Sequence, residues 1–139
     1  MSGGYKVRWG WLKFMYAYTI IGAGALGLGI VFTPSVVTSV FGWPPRDPIG
    51  LGITGSVYCA FAILSVLGLR SPLKFAPVLL LQLCYKSVWL LGVVAPLLVQ
   101  GHLPAYATVP AAIFATYIIG DLIAIPFSYV FAKEPKQGI

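Results

Sequence analysis

The chain has 139 residues, of which 59% are hydrophobic and only 9% charged, far below the roughly 25% charged residues of an average soluble domain. Too few polar residues are present to cover a soluble domain of this length, so the composition excludes that class and predicts a single transmembrane domain over residues 1–139. Nine Lys/Arg against three Asp/Glu give a formal charge of +6. The basic residues sit at the ends of apolar runs and do not cluster with aromatics on one face, which argues against nucleic acid and for contact with anionic headgroups.

The first apolar run covers about residues 11–32, close to the roughly 20 residues that cross a hydrocarbon core. It is too long and continuous for a cleaved leader and is expected to remain as a span. Within it GAGALG, residues 22–27, matches the glycine fingerprint of dinucleotide sites letter for letter. That motif works between a strand and a solvent-accessible helix N-terminus, whereas here it lies inside an apolar helix. Helix packing explains it better, with Ala23 and Gly27, and Ala25 and Gly29, as small pairs that admit a neighbouring backbone.

The first break, TPSVVTSVFGWPPRD, is rich in turn residues. Its SVVTSVF segment is apolar enough for one or two helical turns along an interface. Asp47 before Pro48 has the form of an N-cap followed by proline at the first helical position. The second run spans about residues 48–69, the third about 75–99 after RSPLK, and the fourth about 109–132 after QGHLPAYA. The predicted fold is therefore all-α, a bundle of four transmembrane helices. Lys6, Arg8, Lys13, Arg70, Lys74, Lys133 and Lys136 fall on one side and only Arg46 on the other, which makes both termini cytoplasmic. Tyr5, Trp9, Trp11, Trp43 and Tyr106 lie near the expected interfaces, where amphipathic rings act as anchors.

Lys86 stands near the middle of the third run. A lysine at mid-depth costs roughly 2.5–3.5 kcal/mol on insertion scales and must face the bundle and find a partner. Asp121, near the middle of the fourth run, is the expected partner, paired directly or through water. Gln82, Lys86, Trp89 and Val93 follow helical spacing, with Tyr85 beside them, and Tyr117, Asp121, Ala124 and Ser128 form a similar stripe. Thr54, Tyr58 and Ser65 on the second run, and Tyr16 and Thr19 on the first, can face the same interior. Lys86, Asp121, Gln82, Tyr85, Trp89, Tyr58 and Tyr117 are thus the candidate residues for ligand binding or proton coupling. The competing reading is a register lock, in which Lys86 and Asp121 only fix how the helices fit together.

Other chemistries lack their residues. His102 is the only histidine and no Glu falls in a span, so neither a metal site nor a Ser-His-Asp arrangement is expected. Cys59 and Cys84 lie in separate apolar runs, form no C-x-x-C and read as small core residues. No cofactor is indicated.

The chain resembles the small four-helix bacterial membrane proteins grouped as DoxX-like. The likeness lies in a glycine-rich first helix running into a proline-bounded outer segment (GAGALGLGIVFTPSVV…FG), a small-residue second helix and two longer helices. It covers most of the chain at the level of architecture and transfers no catalytic residue. It implies a multi-pass protein of the bacterial inner membrane, and for some members a link to redox chemistry involving quinones or thiols. The leading expectation is a polar site that binds or translocates a small or lipidic ligand with a polar or anionic head. The alternatives are a membrane oxidoreductase or accessory subunit acting with quinone or lipid, and a structural subunit of a homo-oligomer or larger complex.

Overall fold

A computed structural model describes residues 6–44 and 46–134; the expectations for Tyr5 and Lys136 fall outside them. The described residues are helical, with no strand among them. Four helices are long and apolar enough to cross a membrane: α1 (Trp9–Phe32), α3 (Pro48–Arg70), α4 (Ala76–Val99) and α5 (Ala105–Ala124). Two short helices, α2 (Pro34–Phe41) and α6 (Phe127–Val130), complete the chain. Large apolar side chains such as Ile21, Phe32, Val88 and Leu91 face outward at 69–74% exposure, the pattern of a small multi-pass membrane protein.

The four long helices alternate in direction. Trp9, Arg70, Ala76 and Ala124 lie at one end, called proximal here, and Phe32, Pro48, Val99 and Ala105 at the other, the distal end. Helix α3 starts as expected: the Asp47 carboxylate accepts from the backbone N–H of Ile49 and Gly50 at 3.3 and 2.9 Å, and Pro48 takes the first helical position. Helix α2 ends on Gly42, whose φ of 67° closes the helix in the left-handed region that glycine enters without strain.

Helix α1 packs most extensively on α3, and the glycines explain how. A methyl group on Gly27 would lie 2.8 Å from both the Cys59 nitrogen and the Gly55 carbonyl oxygen, and one on Gly24 would lie 3.3 Å from Ala62 Cβ. The false nucleotide fingerprint is thus a helix contact. Its face is drawn by Gly24 and Gly27, while Ala25 points outward. Cys59 lies in this contact, whereas Cys84 is exposed on the outer surface, not in the core.

Two spans depart from the expected pattern. Residues Leu90–Val94 of α4 form a π-helical stretch, in which the Ala95 N–H reaches the Leu90 carbonyl. Pro96 lacks an N–H for the Gly92 carbonyl and its ring would press on that oxygen; the wider turn relieves the clash. The inserted residue rotates the helix, so Val94 is buried and Val93, expected on the inner stripe, is 48% exposed. The fourth span ends at Ala124, not near residue 132. Pro126 forces Ile125 into an extended conformation at ψ 125° and breaks the helix. Arg8 Nη1 donates to the Ile123 carbonyl at 3.0 Å, satisfying one of the acceptors at this break. The break also separates Ser128 from the stripe of Tyr117, Asp121 and Ala124.

The proximal half is tightly filled by Leu12, Met15, Tyr16, Leu79, Tyr117, Ala124 and Ile125. Distally, Ile30, Val37 and Leu51 form a smaller core beneath α2.

Candidate functional site

Lys86 and Asp121 are both buried, at 3% and 0% exposure; of the two arrangements expected, a direct pair or one bridged by water, the direct pair is not formed. Among the described residues no carboxylate lies within 4.0 Å of the Lys86 ammonium. The antiparallel register of α4 and α5 gives the reason. Gln82 stands opposite Asp121, and Trp89 stands against Phe114 with ring centroids 5.0 Å apart. Lys86 therefore falls level with Tyr117, one helical turn, a rise of about 5.4 Å, along the bundle from the level of Gln82 and Asp121.

Asp121 is met by Gln82, whose Nε2 donates to the two carboxylate oxygens at 3.3 and 3.0 Å. The Gln82 Oε1 accepts from the Thr19 hydroxyl at 3.3 Å, and that hydroxyl also approaches the Met15 carbonyl at 2.8 Å. This buried chain joins α1, α4 and α5 at one depth.

The ammonium of Lys86 enters an aromatic box. Its Nζ lies 3.8 Å from the Phe114 ring centroid, 4.5 Å from Tyr85, 4.6 Å from Tyr117 and 5.8 Å from Tyr58. Desolvated cation–π contacts reach about 2 kcal/mol or more, so several rings offset a burial cost of the same order. Nζ also donates to the Tyr85 hydroxyl at 2.6 Å. One wall of the box is held from behind: Tyr117 stacks on Tyr18 at 4.1 Å and donates to the Tyr18 carbonyl at 3.0 Å. Room for its hydroxyl comes from Gly22, where a methyl group would collide with it.

A cavity of about 320 Å³ lies on the distal side of this box, at the lower end of the usual range for ligand sites. Tyr58, Tyr85, Trp89 and Phe114 line its inner part, and Trp43, Arg46 and Tyr106 line it near the distal connections. Arg46 sits over the Trp43 ring at 5.4 Å. The predicted site residues thus divide. Tyr58, Tyr85 and Trp89 line the cavity; Lys86 stands behind it and acts on it through Tyr85; Gln82, Asp121 and Tyr117 belong to the packed polar interior.

Phe114, Arg46, Trp43 and Tyr106 were not among the expected site residues. Phe114 lies three residues before Tyr117 on the same helix face, so its spacing is legible, but a phenylalanine adds nothing to a stripe of polar residues. Trp43 and Tyr106 carry no such signal. As sequence they are interface anchors, and only the fold brings the two connections to one cavity.

No protein-family model, curated protein or solved structure matches this chain.

Proposed function

We propose that this is a multi-pass protein of the bacterial inner membrane, its proximal end cytoplasmic, which binds a small amphipathic or lipidic molecule in the distal cavity. The observation that carries the reading is the combination of a preformed aromatic cavity with a buried cation behind its wall. A bundle that needed only to fill space has no use for a lysine at this depth. The close packing of Leu12, Met15, Tyr16 and Leu79 on the proximal side supports binding over passage, because a route across would have to part that layer.

Native mass spectrometry of the protein extracted from its own membrane tests this directly. The wild type is expected to carry a bound molecule that Thr54→Trp, which fills the cavity from its wall, no longer retains. Equal retention by both proteins would place the molecule elsewhere and reject the reading.

A further inference from the structure

We propose that the cavity takes an amphiphilic carboxylate, an apolar body with a single acidic oxygen head, and that the head docks on the Tyr85 hydroxyl. The inference rests on the cavity reading above and adds the ligand's charge and its direction of entry.

The hydrogen-bond inventory of the wall carries the argument. An ammonium only donates, so the Tyr85 oxygen accepts from Lys86 and the phenol keeps its own hydrogen to give. That hydrogen has no acceptor among the described residues. The Tyr58 hydroxyl and the Trp89 indole N–H, on the same wall, are also without partners among them. Indole N–H is a donor only. No Asp, Glu, Asn or Gln lines this cavity. Asp47, the carboxylate in the adjoining groove, is engaged in capping α3. The wall therefore offers donors and lacks strong acceptors, which suits an acceptor-rich head.

Charge makes the same choice. Lys86 stands behind the inner wall and Arg46 is exposed near the distal connections, and neither cation is compensated by an ion pair among the described residues. A monoanion balances the one buried ammonium, while a second negative charge on the same head could be met only by the exposed Arg46 near the distal connections. Polarisation by Lys86 strengthens the Tyr85 donor, as cooperative hydrogen-bonded chains do. The aromatic rings beside it then hold the apolar body, and Arg46 steers the anion inward.

The test uses the full chain in phosphatidylcholine nanodiscs and three probes of one chain length: dodecanoate, dodecanol and dodecyltrimethylammonium. Calorimetric titration is expected to show dodecanoate binding at least about tenfold more tightly than the other two, the range of a hydrogen bond to a charged group. Tyr85→Phe keeps the ring and should weaken dodecanoate by about tenfold while leaving dodecanol unchanged. Arg46→Gln should slow association with a smaller change in affinity. Equal binding of all three probes, or an unchanged Tyr85→Phe, would overturn the proposed head site. Loss of dodecanoate in Arg46→Gln but not in Tyr85→Phe would put the head at the mouth and overturn it too. Thr54→Trp separates the two readings: if it binds dodecanoate like the wild type, the cavity itself is not the site.

Discussion

Lys86 is held by rings and a phenol, and Asp121 by an amide, so two buried charges that a depth argument pairs are satisfied separately. This makes unequal predictions for the two. Lys86→Met leaves a flexible apolar chain in an aromatic box, an exchange of a buried charge for well-packed apolar atoms that is often neutral or stabilising; thermal unfolding in one detergent should show a change of no more than about 1 kcal/mol. Gln82→Leu instead strands the Asp121 carboxylate without its donor, and should destabilise by about 1–3 kcal/mol. Double-variant cycles should give a larger coupling for Gln82 with Asp121 than for Lys86 with Asp121; the reverse order would restore the direct pair. The sequence located both charges on inward faces of their helices, but a one-turn difference in register lies below what counting from span ends resolves.

At the level of elements, the contact between α1 and α3 depends on missing side chains. Gly27→Ala would push a methyl group against two backbone atoms that cannot move aside, and overpacking of this kind costs about 1–3 kcal/mol. Gly52, on the same α3, has open space where a methyl would sit, so Gly52→Ala should stabilise by roughly 0.5–1 kcal/mol through helix propensity alone. Measuring the two together separates close approach from helix preference: losses of equal size would mean that the α1–α3 contact is not what Gly27 serves. The breaks in α4 and after α5 follow from prolines that the sequence displays openly. Their consequences, Val94 turned inward and a span ending at Ala124, depend on how the chain relieves each clash.

For the whole molecule, Lys6, Arg8, Lys13, Arg70, Lys74 and Lys133 gather at the proximal end and Arg46 at the distal end, and the proposed orientation follows from that asymmetry. In a background of Cys59→Ala and Cys84→Ala, a cysteine placed at His102 should react with a membrane-impermeant maleimide in intact cells, and one at Lys74 only after permeabilisation. The opposite pattern would invert the topology. The number of helices long and apolar enough to span a membrane, the bounds of the first three and the Asp47 cap were legible in the chain, because hydropathy and caps act within a single segment; the end of the fourth, at Ala124, was not. The cavity was not: Trp43, Arg46 and Tyr106 meet Tyr58, Tyr85, Trp89 and Phe114 only when two connections and three helices converge. The length of the apolar runs therefore determined which segments are helices, and the spacing of polar residues which faces turn inward. Helix register and the return of the connections decided which of those groups touch, since contacts between distant segments depend on packing that no single segment encodes.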